Sequence, residues 1–514
     1  MAAPELDAPI GSLRGTRPRP GVTAFLGIPY AVPPVGHRRF LPAEPHGGWP
    51  GVRDASACGP HAPQTPSFLD SLGRREPAPQ SEDCLTLNVW TPDPGACLPV
   101  LVWIHGGAFL SGSGSLPAYD GAALASRGDT VVVTLNYRLG ALGFLHLDDA
   151  EGSGVAGLLD QIEALRWVRR NIGAFGGDAA RVTVFGESAG AMSIGALLGM
   201  EAADGLFRQA VLQSGAARHL VAPGPAAAGR RRFLQQLGLP EGSGAAELRS
   251  LPAEAMLAAQ AAVLAHSGDA LPFVPVVDGF RLQHPLERLR AGRVCVERIV
   301  VGTTLDENRL FTTFDPVVQQ LDRTGVLARA AQLGVEDPDG LVEHIHRRRP
   351  GLTWPEVWSA IATDDVFRQP ADQLLDAAAA AGVECRSYLF TWPVPGLGGR
   401  MGACHAVDVP FVFDNLDQPG LPMLIGTGDE QIRLAQRLSE AWRGFATGED
   451  PWPRLEPTRR TIVFDGSAED AVLDDPHAGE RAAWGDRWHR PLDAGGRPWP
   501  FPGADRVDPG VAAR

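Results

Sequence analysis

Cysteine is scarce in this chain, with six residues in 514: Cys58, Cys84, Cys97, Cys295, Cys385 and Cys404. None forms a C-x-x-C pair or a zinc-finger spacing, which argues against a disulfide scaffold or a structural zinc module. In a reducing compartment, six buried thiols are the expectation. Long apolar runs are missing too. The densest, Leu98 to Ile104, falls far short of the about 20 residues that a bilayer span needs. The opening MAAPELDAPIGSLRGT holds no basic segment followed by an apolar run, so no secretory signal and a cytoplasmic location are expected. Positive charge is in deficit, with 46 basic against 60 acidic side chains and a net charge of -14. That balance disfavours nucleic acid and anionic membranes as partners. No shift in composition marks a linker and no repeat occurs, so a single large domain over residues 1–514 is expected.

What is present reads as an α/β protein. Hydrophobic residues make up 44% of the chain, ample for a core. Short β-rich runs at Val100–Ile104, Thr130–Asn136, Val182–Phe185, Gln209–Gln213, Arg298–Val301 and Arg386–Thr391 alternate with helix-period segments. This alternation predicts a mostly parallel sheet covered on both faces. Leu158, Ile162, Leu165, Val168 and Ile172 recur at helical spacing, as in an amphipathic helix packed on a sheet. Residues 223–265 and 315–382 read as helical insertions forming a cap beside the active site.

The central signal is Gly186-Glu187-Ser188-Ala189-Gly190, entered by the β-branched run from Val182 and followed by a helical segment, Met192 to Leu198. Strand, G-x-S-x-G turn and helix make the context of the nucleophile elbow of an α/β-hydrolase. Its sharp turn tolerates only small neighbours, and it aims the Ala189 N–H at developing negative charge. Upstream, Val102-Trp-Ile-His-Gly-Gly-Ala-Phe109 is a strand running into a glycine loop. In that fold such a loop supplies the rest of an oxyanion hole. Gly106 gives the backbone room to turn, and Gly107 and Ala108 join Ala189 as the expected donors.

A serine nucleophile needs a base, and the base needs an oriented acceptor; here the chain order is Ser, then Asp or Glu, then His. Of the histidines after Ser188, His344 and His346 sit in a basic helical stretch and read as a solvated face, with no metal expected. His477 and His489 lie in a polar tail. His405, on a loop after the strand near 386–391, is where the base belongs. Asp306 and Glu307 both follow the strand at Arg298, and local reasoning does not choose between them.

Longer motifs add a family. The ordered set comprises Phe25-Leu-Gly-Ile-Pro-Tyr-Ala31, Pro33-Pro-Val-Gly36, Ser81-Glu-Asp-Cys-Leu85, Leu87-Asn88, the H-G-G-A-F loop and Asn136-Tyr-Arg-Leu-Gly140. The G-E-S-A-G elbow, Leu212-Gln-Ser-Gly215 and the segment from His405 to Phe413 complete it. Together they resemble the type-B carboxylesterase family, which includes bacterial p-nitrobenzyl esterases and animal cholinesterases. The resemblance implies a Ser188–Glu307–His405 triad, with Ser214 buttressing it and Glu187 close by. It also implies scaffold ion pairs Arg39–Glu82 and Arg138–Asp160. The chain departs from the family at Asn308, where glycine is common; asparagine's tolerance of left-handed backbone would preserve the turn. The family's Cys-Pro-Gln partner for Cys84 is Ala62-Pro63-Gln64 here, which argues against a bridge from Cys84, with Cys58 four residues away. No tryptophan occurs between Trp49 and Trp90, where cholinesterases carry a choline-binding indole, so choline esters are disfavoured.

The expected function is hydrolysis of small to medium carboxylic esters through an acyl-enzyme, with no cofactor. An amidase or carbamate hydrolase would use the same residues, because pocket shape decides the leaving group. A non-catalytic binding protein is the rival from another class, and relatives of that kind lose a triad member. Phe109, Trp354, Trp358 and Phe367 could line a pocket, but burial in the core is the favoured reading. The resemblance further associates the G-G-A-x loop with room for bulky tertiary alcohols.

Overall fold

Every strand read from the sequence lies in one sheet, because each is apolar on both faces and needs cover on both. The structure, a computed structural model, describes residues 3–65, 79–266 and 273–485; His489 lies outside them. Among the described residues, eleven strands form the main sheet. They are β1 (Thr16–Arg19), β2 (Val22–Pro29), β3 (Thr86–Thr91), β4 (Leu98–Ile104), β5 (Val131–Leu135) and β6 (Gly177–Glu187). The rest are β7 (Gln209–Gln213), β8 (Arg298–Thr304), β9 (Glu384–Phe390), β10 (Arg460–Phe464) and β11 (Ala471–Asp474). Their order is β11-β10-β9-β8-β7-β6-β4-β5-β3-β2-β1. The run from β5 through β4 to β10 is parallel, and both edges are antiparallel. This is the mostly parallel, helix-flanked sheet of an α/β-hydrolase. Strand β6 begins five residues before its apolar run, because Gly177 pairs with Leu98 although Asp178 and Arg181 around it are polar.

Alternation along the strands divides the core in two. Val100, Val102 and Ile104 pack on one face with Val131, Val133, Val184, Leu212 and Ile299, under the helix Ala156–Asn171. Leu101 and Trp103 pack on the other with Phe185, Val211 and Val300, under Leu434, Leu438 and Trp442 of the helix Asp429–Thr447. In the first insertion region lie the helices Pro223–Gln236, Ala245–Arg249 and Ala253–His266. The second holds Arg323–Gln332, Pro338–Arg348, Trp354–Thr363 and Gln369–Ala380, and it has a core of its own. Leu341, Ile345, Val357 and Ile361 build that core, and Trp484 from the helix Ala478–Trp484 closes it.

Two ion pairs pin loops to this frame. Arg138 holds Asp160 with two guanidinium bonds of 2.6 and 2.8 Å, and its backbone N–H donates to the same carboxylate at 3.0 Å. Arg39 pairs with Glu82 at 2.5 Å and also donates to the carbonyls of Leu248 and Leu251. Both pairs implied by the family resemblance are therefore formed.

Three expectations need correction. The cysteines are free but not all buried: Cys84, Cys385 and Cys404 are, Cys295 is half-buried, and Cys58 and Cys97 are exposed. The two exposed ones lie on loops, which run over the surface. His344 and His346 are half-buried, not a solvated face. His344 lies 3.8 Å from Glu480, and His346 meets Trp354 edge-on at 4.8 Å, because the helix Ala478–Trp484 and Trp354 cover that side. The polar tail around His477 is likewise half-buried, folded back through the helix Ala478–Trp484. Among the described residues, no helix is long and apolar enough to cross a membrane.

Asp160→Asn strands the Arg138 guanidinium, 4% exposed, without a counter-charge. The expected loss of stability is about 3–5 kcal/mol. Arg14→Gln, whose partner Glu5 is exposed, is expected to cost less than about 1 kcal/mol. Urea midpoints of the two variants test the contrast.

Candidate active site

The elbow is a steric construction. Strand β6 ends at Glu187, Ser188 takes φ 54° and ψ -125°, and the helix Ala189–Leu197 starts at once. A Cβ on Gly190 would lie 1.9 Å from the Ile104 carbonyl oxygen at the end of β4, and one on Gly186 would lie 2.7 Å from the same atom. Only glycine fits at either place. The Ser188 N–H donates to the Gln213 carbonyl at 2.9 Å, and its side chain sits at a nearly buried floor.

Strand β4 delivers the glycine loop alongside. A Cβ on Gly106 would meet the carbonyl and a carboxylate oxygen of Glu187 at 2.8 Å, so the loop approaches the elbow only because nothing is there. His105, pushed down to about 4 by burial, is a neutral spacer: its ring stacks on Tyr137 at 4.5 Å, and the Tyr137 hydroxyl donates to its carbonyl. Gly107, Ala108 and Phe109 then take φ of 112°, 57° and 61°. Left-handed backbone costs about 1–2 kcal/mol for each non-glycine residue. The Phe109 ring, fully buried against Phe144 at 5.0 Å, holds that turn in place. Among the described residues, the N–H groups of Gly107, Ala108 and Ala189 have no acceptor.

Strands β8 and β9 bring the candidate acid and base. Their exit loops are laced together, Leu305 N–H to Phe390 O, Asp306 N–H to Ala403 O and His405 N–H to Glu307 O. Glu307, fully buried, accepts from the Thr304 N–H at 2.7 Å and reaches His405 Nδ1 at 2.7 Å. A carboxylate oxygen accepts, so Nδ1 carries the hydrogen, and in the neutral imidazole Nε2 keeps the lone pair. Asp306 turns the other way, taking Arg349, Arg309 at 3.4 Å and the Ala403 N–H at 3.2 Å. Of the two adjacent acids, only Glu307 meets the imidazole.

Glu187 is closer than expected. Its Oε1 lies 3.0 Å from His405 Nε2 without forming an aligned hydrogen bond. Among the described residues, no hydrogen bond joins the Ser188 hydroxyl to His405; in ligand-free enzymes this link is often long and tightens with substrate. Burial raises the Glu187 carboxyl to about 8, against the pull of His405 and with further push from Asp408 and Glu307. Burial works against protonating His405, but Glu187 and the Glu307 hydrogen bond prevail and push it up to about 9. The two groups titrate as a unit, and the imidazole gains base character as that unit loses its protons.

Other neighbours were not legible beforehand. Asp408, fully buried three residues beyond His405 and raised to about 6 by burial, accepts from Gln213 at 3.0 Å and Tyr388 at 2.9 Å. The Phe311 and Phe367 rings flank His405 at 5.4 and 4.8 Å. Of the four aromatics considered above, Phe109 and Trp358 are core, Trp354 is half-buried on His346, and Phe367 is buried against the imidazole. Ser214 sits at φ 52° with a buried hydroxyl that has no partner among the described residues. Asn308 takes φ -73°, so its left-handed tolerance is not used; its buried N–H donates to Thr363 Oγ1 instead.

The sheet order, with an elbow at a central strand and polar groups gathered at the strand C-terminal ends, defines an α/β-hydrolase enzyme. The sequence pattern of the Carboxylesterase family matches residues 2–464, and the chain belongs to that family. A para-nitrobenzyl esterase of Bacillus subtilis is 41% identical over 92% of this chain and 96% of its own. A phenmedipham hydrolase of Pseudarthrobacter oxydans is 38% identical over 87% of this chain and 93% of its own. The crystal structure of a Geobacillus stearothermophilus carboxylesterase superposes with a TM-score of 0.84 at 41% identity, covering 94% of this chain and all of that one. The protein is a serine carboxylesterase, a carboxylic ester hydrolase.

Two outcomes follow from the geometry. Glu307→Gln keeps the shape but removes the charge that favours the imidazolium, and kcat is expected to fall about 10⁴-fold, as in comparable triads; Asp306→Asn should fall far less. Glu187→Gln removes a carboxylate that raises His405. The acid limb of its kcat/KM–pH profile should therefore move to lower pH, and an unmoved limb would show that the carboxylate does not reach the base.

Proposed function

We propose that Ser188 is the nucleophile, His405 the base and Glu307 its orienting acid, acting on small to medium carboxylic esters. The buried 2.7 Å contact between Glu307 and His405 Nδ1, with His405 Nε2 3.0 Å from Glu187, the residue before the elbow serine, carries this reading. Nε2 takes the Ser188 proton as Oγ bonds to the ester carbonyl carbon. The carbonyl oxygen becomes an oxyanion, met by the N–H groups of Gly107, Ala108 and Ala189. Collapse expels the alcohol, which takes the proton from His405, and leaves an acyl-serine. Water then attacks the acyl carbon, His405 takes its proton, and the acid departs as Ser188 is reprotonated. Each oxyanion donor in comparable sites contributes about 3–4 kcal/mol.

Esters stand first because the family and the named relatives point there; amides and carbamates use the same residues and enter the screen as second substrates. Exposed free thiols at Cys58 and Cys97 support a reducing compartment, the cytoplasm.

Release of p-nitrophenol from the butyrate ester by wild type and Ser188→Ala tests the assignment. Activity that vanishes in a folded Ser188→Ala variant supports it, and equal rates overturn it.

A further inference from the structure

One short stretch touches the candidate triad from a direction the mechanism does not use. Between the helices Trp354–Thr363 and Gln369–Ala380, residues Asp364–Arg368 form a π-helical turn. Its cause is local. Pro370 lacks an N–H, and its ring would collide with the carbonyl four residues back, at Val366, so the helix widens there. Single π turns of this kind cluster at functional sites.

All five residues of the turn are buried, and four of them are tied to something. The Phe367 ring lies 4.8 Å from His405. Arg368 donates to the Leu305 carbonyl at 2.6 Å, two residues before Glu307, and pairs with Asp364 at 2.5 Å. Arg218, from the segment after β7, pairs with Asp365 at 2.8 Å and also donates to its carbonyl. Asp364 accepts, at 3.1 Å, from the indole N–H of Trp484, itself 1% exposed. The helix that carries Trp484 is locked in turn by Arg481 on Asp372 and Asp475, and by Glu480 beside Arg348.

We propose that the π turn Asp364–Arg368 is a positioning element for His405 and Glu307, and that the helix Ala478–Trp484 sets it through the Trp484–Asp364 hydrogen bond. The bond fixes Asp364, Asp364 fixes Arg368, and Arg368 with Phe367 holds the acid turn and the imidazole face. Phe367 touches the imidazole ring, whereas Trp484, Asp364 and Arg368 act only through it and through the turn at Leu305, so loss of any of these three is expected to change alignment more than binding. The inference rests on the triad assigned above.

The test uses the full-length enzyme with p-nitrophenyl butyrate and four single variants: Ser188→Ala, Trp484→Phe, Asp364→Asn and Phe367→Leu. Trp484→Phe keeps an aromatic ring but removes the donor together with part of the buried indole, so the isosteric Asp364→Asn is read beside it. Misplacement by about 1 Å costs about 100-fold in rate, so a partial loosening is expected to lower kcat about tenfold. KM should stay within about twofold of wild type, and the acid limb of the kcat/KM–pH profile should shift. Because Trp484 acts through the turn, the Trp484→Phe/Phe367→Leu double variant should lose clearly less than the product of the single losses. Asp364→Asn gives a second reading of the same link if Trp484→Phe does not fold. A lowered melting temperature with kcat and the acid limb unmoved would reduce the helix to packing and overturn the proposal, and so would multiplicative losses. If Ser188→Ala keeps wild-type activity, the triad reading falls and this proposal with it. If Ser188→Ala is dead while the other variants match wild type, only this proposal falls.

Discussion

A carboxylate taken out of water has to find donors or give up its charge, and that constraint organises the catalytic end of this molecule. Glu307, Glu187 and Asp408 are all buried around a single imidazole. Glu307 has a backbone N–H and the His405 ring. Asp408 has Gln213 and Tyr388, and Gln213 is itself held by the Trp442 indole. Among the described residues, Glu187 Oε1 has no aligned donor, and burial drives the carboxyl toward its neutral form. Burial raises Glu187 to about 8 and Asp408 to about 6, and the Gln213 and Tyr388 hydrogen bonds to Asp408 work against the rise there. The imidazole between them is held in one tautomer by the best supplied of the three.

The fold makes this gathering cheap. Strands β4, β6, β8 and β9 run the same way, so their exits meet at one end of the sheet, where ligands of open α/β sheets bind. Backbone bonds between the acid and base loops do the fine alignment, which rotatable side chains could not. The second insertion, with its separate core, then leans on these loops from above through Arg349 and Arg368.

How much of this could be read from residues alone depended on range. The elbow and the glycine loop were legible because their chemistry is contiguous: strand, small residues, turn, helix. The position of His405 beside the Asp306-Glu307 turn was legible by chain order and by its place after β9. Which carboxylate meets the imidazole was not, since Asp306 and Glu307 are neighbours, and what separates them is Arg349 and Arg309 drawing Asp306 aside; the family resemblance supplied that choice. Asp408 looked like part of an apolar segment, and no local pattern says that Tyr388 and Gln213 will converge on it. The cysteines were misjudged for the same reason, because exposure at Cys58 and Cys97 is a property of where their loops lie.

One carbonyl oxygen, that of Ile104, forbids a side chain at both outer glycines of the pentapeptide. Those glycines therefore record the spacing of two neighbouring strands, and on the proposed reading only the central serine records chemistry. A descendant that abandoned hydrolysis would remain under the same steric demand and keep its glycines long after the hydroxyl had gone. Persistence of the G-x-x-x-G frame in a sequence is thus a memory of packing, and activity has to be read from the residue inside it and from the partners that wait across the sheet.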